Sequence, residues 1–190
     1  MKNLFDLRNA VSGRFWAFIL RPYFLFLGSK TRIVSPLKIK NLGRISIHNN
    51  VIINSSSWLQ VHQDLVGELI IGEGSIIGNL NHIYALNKIV IGSHVLTADK
   101  VYISDCVHGF EQIDLPILCQ PVKALPNVYI GDHSWIGENV VIIGASIGKH
   151  TIIGANSVVN KDIPDYCVAV GSPAKVIKKY SLDKKKWVRI

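Results

Sequence analysis

Through much of this chain an aliphatic residue returns at every sixth position, a period that belongs neither to an α-helix (3.6) nor to an alternating strand (2). Ile71-Gly72-Glu73-Gly74-Ser75-Ile76 leads into Ile77-Gly78-Asn79-Leu80-Asn81-His82. Ile91-Gly92, Thr97-Ala98 and Ile103-Ser104 follow, each six apart. After a gap the phase returns at Ile130-Gly131, Ile136-Gly137 and Ile142-Ile143; one turn is a residue short, and Ile147, Ile153 and Val159 resume it. Weaker repeats reach back to Ile47 and Ile53. A hexad fits one flat side of a triangular coil, a short strand followed by a corner. The aliphatic side chain points inward and stacks on its equivalent in the next coil, so that stacking builds one continuous core. Glycine and small polar residues are expected at the corners, where unusual backbone angles are needed. Three hexads close a coil, and Ile47 to Asp162 supplies about six of them.

The composition agrees with an all-β stack in one domain. Of 190 residues 48% are hydrophobic and 18% charged, and few of the apolar ones are aromatic. The formal net charge of +8 admits nucleic acid, anionic lipid or a small polyanion as partner. A nucleic-acid binder would show a recognisable module or a basic stripe with stacking aromatics, and neither is present, so no nucleic acid is expected. The positive residues gather instead in Lys30–Arg44 and Lys175–Arg189, which suits particular phosphates. Cys106, Cys119 and Cys167 are odd in number and lack metal-ligand spacing, so they read as free thiols in a reducing compartment, and no metal is expected.

The N-terminal run Phe15–Leu27 is apolar but interrupted by Arg21 and Pro22. It is shorter than the about 20 residues a bilayer-crossing helix needs, and no small-residue cleavage site follows. Two readings stay open: a short helix packed on one end of the domain, or an interfacial anchor flanked by Arg14, Arg21, Lys30 and Arg32. The expected organisation is an N-terminal apolar and basic helical segment (1–40), the repeat domain (41–179) with an excursion at 109–127, and a basic tail (180–190). A cytoplasmic location, peripheral at the inner membrane face if residues 15–27 are an anchor, is the matching expectation.

The repeat, with the segments Ile153–Pro164 and Val170–Lys178, resembles the hexapeptide-repeat acyltransferases, and most of all their sugar O-acetyltransferases of the galactoside, maltose and polysaccharide type. The resemblance covers Ile47 to Lys179. It implies a left-handed parallel β-helix, acetyl-coenzyme A as co-substrate, a carbohydrate acceptor and a homotrimer with sites between subunits. His108 fills the sixth place of the hexad Ile103–His108 just where the period fails, and Ile130, where it returns, is 27 positions after Ile103. The family's catalytic histidine resembles it in both respects, and imidazole, with an ordinary pKa of about 6.5, is suited to deprotonating a sugar hydroxyl. His82 also holds a sixth place but opens no excursion, and His94, His133 and His150 share the fourth place and read as surface residues.

Asn79 and Asn81 resemble the place of an asparagine that faces the acetyl group and acceptor; the spacing leaves the choice between them open. Trp135 matches a tryptophan lying against the pantetheine arm. Ala155 would offer backbone hydrogen bonds to that arm, and Lys161, Lys175 and Lys178 match basic positions near the nucleotide phosphates. Asn160 stands where threonine is common and Lys175 where arginine often sits, which keeps the charge but loses bidentate geometry. The alternatives are N-acetylation of an amino sugar nucleotide, or a non-catalytic solenoid at a membrane surface.

Overall fold

A computed structural model describes residues 4–63 and 67–190. Three parallel sheets form the sides of a prism. The first contains Phe26–Leu27, Ile45–Ile47, Glu68–Ile71, Lys88–Ile91 and Val128–Ile130. The second runs from Arg32–Ile33 through Ile52–Ile53, Ile76–Ile77, Leu96–Thr97, Trp135–Ile136 and Ile152–Ile153 to Cys167–Val170. The third stacks Lys38–Lys40, Trp58–Val61, His82–Ala85, Tyr102–Ser104, Val141–Ile143 and Val158–Val159.

Inward side chains stack coil on coil. On the first side Leu27, Ile47, Ile71, Ile91 and Ile130 are in register, and isolated parallel bridges carry the column on to Ile147 and Ile163. On the third side the column is Ile39, Leu59, Ile83, Ile103, Ile142 and Val159. Most of these residues are fully buried, and each contributes about 1.5–3 kcal/mol by leaving water.

The first column has seven rungs, so the solenoid has about seven coils rather than six. The additional coil comes first, inside the segment assigned above to the N-terminal helix. Leu27, Ile33 and Ile39 do keep the six-residue phase. The uninterrupted apolar run Phe24–Leu27 hides it, and Lys30 and Ser35, not glycine, take the positive-φ places of this coil.

Glycine has a different task from the expected one. Gly72, Gly78, Gly92, Gly131 and Gly137, which follow the inward aliphatic residues, are not among the positive-φ positions. They are needed because the next coil passes very close: a Cβ on Gly78 would lie 2.2 Å from the Ala98 carbonyl oxygen. The left-handed angle falls two residues later, on Gly74, Leu80, His94, Lys100, His133 and Asn139. Gly144, with φ +56°, is the exception, at the shortened turn before Ile147.

Both ends are closed. Helix α1 (Leu4–Leu20) stops before Pro22, whose missing N–H cannot continue it. It lies across the first coil so tightly that a Cβ on Gly13 would come within 3.0 Å of Arg32 and Val34 side-chain atoms. Ala17 is buried there, and Ile33, with no coil before it, is 0% exposed. At the other end Lys175–Ser181 turns back antiparallel along Cys167–Val170, and Lys186–Arg189 pairs with it in turn. The segment read as a tail is thus an ordered strand of the second sheet.

Candidate active site

The chain leaves the fourth coil at Asp105. This residue is 0% exposed, and its carboxylate accepts the backbone N–H groups of Leu86 (2.6 Å), Asn87 (2.7 Å) and Lys88 (2.7 Å). Its own carbonyl accepts the Leu125 N–H where the excursion returns, at 2.8 Å. One buried residue therefore fixes both the preceding corner, through its side chain, and the root of the loop, through its main chain. Beyond it Cys106–His108 pairs antiparallel with Val122–Ala124, and this hairpin begins the excursion before Gly109. The loop is braced inside by buried Gln120, whose amide bonds the carbonyls of Gln112 and Leu115, and by a Glu111–Lys123 ion pair. That pair holds the Glu111 carboxyl below its ordinary pKa.

The hairpin borders the outward face of the third sheet and with it encloses a cavity of about 260 Å³. His108 is exposed at one wall, beside Val107, Val122 and Cys106. The opposite wall is aromatic. Trp58, His82 and Tyr102 occupy the same outward place in three successive coils. The Trp58 and His82 rings stack at 4.1 Å, Tyr102 meets His82 edge-on at 5.2 Å, and Lys38 Nζ caps the row 4.0 Å from the Trp58 ring. Tyr84 completes the lining. Burial, reinforced by the Lys38 charge, lowers the His82 pKa from its ordinary value, which keeps this ring neutral near pH 7. His82 Nε2 is buried with no hydrogen-bond partner, the sole such side-chain atom found among the described residues. Burial raises the Cys106 thiol pKa, partly offset by its hydrogen bond with Ser104.

The other sequence candidates are spread around the prism. Asn81 is 1% exposed, and its amide is committed to Thr97 Oγ1, the Ala98 carbonyl and the Val101 N–H. Its place in the site is therefore corrected: it is an internal spacer between coils, out of reach of an acceptor. Asn79 is half-buried at the corner that leads into the third sheet, where it donates to both Asp99 carboxylate oxygens. Ala155 is exposed at that same corner higher up. Trp135, 48% exposed, lies outward on the second sheet between Leu96 and Ile152. Lys178 and Lys175, opposite Val168 and Val170, share that face. Asn160 and Lys161 lie elsewhere, on the corner two coils above the one His108 leaves. A single chain thus places His108 on one side and most of the coenzyme candidates on another.

A protein of Escherichia coli named as a lipopolysaccharide biosynthesis O-acetyl transferase is 35% identical over 159 residues, 80% of each chain. The family model for the bacterial transferase hexapeptide (six repeats) matches residues 122–161. The chain belongs to the hexapeptide-repeat acetyltransferases. A Mycobacterium tuberculosis protein named as an acetyltransferase is 36% identical over 159 residues, which cover 83% of this chain and only 51% of that relative's length. Among solved structures, a maltose O-acetyltransferase from Clostridium difficile superposes with a TM-score of 0.54 at 30% identity, covering 85% of this chain and 73% of the other. The N-acyltransferase AntD from Bacillus cereus, solved with dTDP and 3-hydroxybutyryl-CoA, superposes with a TM-score of 0.74 at 24% identity over 89% and 90% of the chains, a likeness of fold.

Sequence reasoning about this acetyltransferase missed Trp58, Tyr84, Tyr102 and Asp105. The aromatic row had a signal, since Trp58, His82 and Tyr102 each directly precede the inward residue of the third side (Leu59, Ile83, Ile103). Asp105 carried none, because nothing local tells a buried aspartate from an exposed one.

Proposed function

We propose that this acetyltransferase moves the acetyl group of acetyl-coenzyme A to a hydroxyl of a sugar in a cell-surface glycan or its precursor, with His108 as general base. The observation that carries the reading is the cavity: an exposed imidazole faces a wall of stacked aromatic rings, apolar surface on which a pyranose can lie. Its volume of about 260 Å³ is below the 300–1,000 Å³ typical of drug-sized ligand sites, which suits one sugar ring. A sugar hydroxyl would also supply the partner that His82 Nε2 lacks.

Transfer would proceed in one ternary complex. As the acceptor oxygen attacks the thioester carbonyl, His108 takes its proton; the C–S bond then breaks, the imidazolium returns that proton to the departing sulfur, and coenzyme A leaves as the thiol. The Trp135 face, with Lys175 and Lys178, is the proposed seat of the coenzyme, the lysines near its phosphates. Because this face and His108 lie on different sides of one chain, a site completed between neighbouring copies, as in a homotrimer, fits the geometry. The apolar loop residues Ile113 and Leu118, 95% and 89% exposed, suit contact with such a neighbour.

The second reading is N-acylation of an amino sugar nucleotide, and AntD is its structural precedent. An ammonium substrate would call for a nearby carboxylate, yet among the described residues no Asp or Glu lines this cavity, and Asp105 is engaged by three backbone donors. Oligosaccharides, lipid-linked sugars and amino sugar nucleotides are to be compared as acceptors by thiol release. The expected product is an alkali-labile ester on a sugar; an alkali-stable amide moves the enzyme to the N-acylating class. His108→Ala should lose about 10²–10⁴ in turnover with coenzyme A binding nearly unchanged. Near-normal turnover would make His82 the next base to test.

A further inference from the structure

Helix α1 has two unlike faces. Gly13 and Ala17 pack on the first coil, and Leu20 is partly buried against the core. At helical spacing the opposite arc carries Leu7, Val11, Phe15, Phe18 and Ile19, exposed by 55%, 62%, 56%, 79% and 43%. By the same helical spacing Arg14 borders that arc and Arg8 falls within it, between Phe15 and Ile19. The apolar surface continues past the helix through Tyr23 and Leu25 (66% and 60% exposed).

Charge singles out the same end. Residues 1–44 hold nine Lys and Arg against one Asp, a net +8 equal to that of the whole chain, so the remaining residues balance. No Asp or Glu occurs between Asp6 and Asp64. Of these cations Arg21 is structural, bonded to the Leu27 and Gly28 carbonyls. Lys30, Lys40 and Arg44 of the first coil and its corner are exposed. An apolar stripe edged by cations is the pattern of a helix lying in a membrane interface. A second copy is disfavoured as the occupant, since two such ends would bring like charges together.

We propose that the capped N-terminal end of the solenoid docks on an anionic lipid bilayer, with the outward stripe of α1 inserted among the acyl chains and Arg8, Arg14 and the first-coil cations on the lipid phosphates. Docking of this kind goes beyond the catalytic assignment and stands without it. The test is cosedimentation of the full chain with vesicles of phosphatidylethanolamine and phosphatidylglycerol, and with neutral phosphatidylcholine vesicles. The protein should bind the anionic vesicles at least tenfold better, and raising the salt from about 0.1 M to 0.5 M should weaken binding. The double variants Phe15→Glu/Phe18→Glu and Arg8→Glu/Arg14→Glu should each lose at least tenfold while keeping the wild-type melting temperature. Leu182→Glu, an exposed apolar residue at the other end of the solenoid, should bind like wild type. Equal binding to both vesicle types, unchanged binding by the two double variants, or equal loss in Leu182→Glu would overturn the proposal. So would a wild-type chain that ignores vesicles but changes its oligomeric state when Phe15 and Phe18 are replaced.

Discussion

Asp105 is the residue whose loss should separate fold from catalysis. Its carboxylate, fully buried, receives three backbone N–H groups at 2.6–2.7 Å, while its carbonyl holds Leu125 at the far root of the catalytic loop. In Asp105→Ala all three donors lose their acceptor. At about 1–3 kcal/mol for each buried donor left unpaired, the cost is roughly 3–9 kcal/mol, comparable with the total stability of about 5–15 kcal/mol of an ordinary domain. Asp105→Asn is the informative variant. Its amide has one acceptor oxygen for three donors and turns an NH₂ toward the third, so about 2–4 kcal/mol should be lost. Asp165 is the control: it accepts one N–H, that of Lys149 at 2.9 Å, on an exposed corner, and its Asn variant should lose less than about 1 kcal/mol. Urea denaturation measures the stability term. Steady-state kinetics below the transition should show turnover falling at least tenfold for Asp105→Asn with little change in coenzyme A affinity, because His108 sits three residues beyond the anchor. Matching denaturation midpoints for the Asp105→Asn and Asp165→Asn proteins would refute the reasoning, as would full turnover in Asp105→Asn.

Three further outcomes are expected. Near its ordinary value of 6.5 the unfolded chain binds a proton at His82 while the native chain, whose His82 pKa is lowered, does not. Stability present above pH 6.5 should therefore fall as the pH drops toward the native value, and His82→Phe, which keeps the stack, should flatten that fall in denaturation curves at pH 7.5 and 5.5. Of the three thiols, exposed Cys119 should be alkylated first under native conditions, whereas Cys106 and Cys167, buried and with raised pKa values, should react only on unfolding, as mass spectrometry would show. Lys175→Ala and Lys178→Ala should weaken acetyl-coenzyme A more than dephospho-coenzyme A; equal losses would assign the lysines to the strand pair they belong to.

The repeat made the fold legible because every inward position obeys one rule, visible in the chain from Ile47 onward. The rule faded where neighbours were also apolar, at Phe24–Leu27, so the first coil was absorbed into the helix before it. The residue after each inward aliphatic looked like a turn glycine, but it is small because of the coil above it, a neighbour about 20 positions away that local pattern does not show. For the same reason Asn79 and Asn81 were inseparable in sequence: they are two positions apart on either side of the left-handed Leu80, and it is the coil above, through Thr97, Ala98 and Val101, that makes Asn81 the buried one. The broken period drew attention to His108 in the sequence, and the structure sets that residue in the cavity lining. The aromatic wall facing it was not legible, since Trp58, His82 and Tyr102 come together only by stacking.

The closed lower end also gives the solenoid a zero from which height can be measured. Stacked coils rise about 4.8 Å each, and the His108 loop departs from the fourth, so an enzyme standing on α1 would hold His108 on the order of 15 Å above the first coil, with the thickness of α1 between that coil and the surface. That height is quantised. Residues inserted at a corner leave as a loop, as the 109–127 excursion does, without displacing the columns above it, so reach changes only by whole coils, each costing about 18 residues or more. An acceptor carried by a lipid would have to present its sugar at that level, which makes the coil count below the loop a selector of acceptor length.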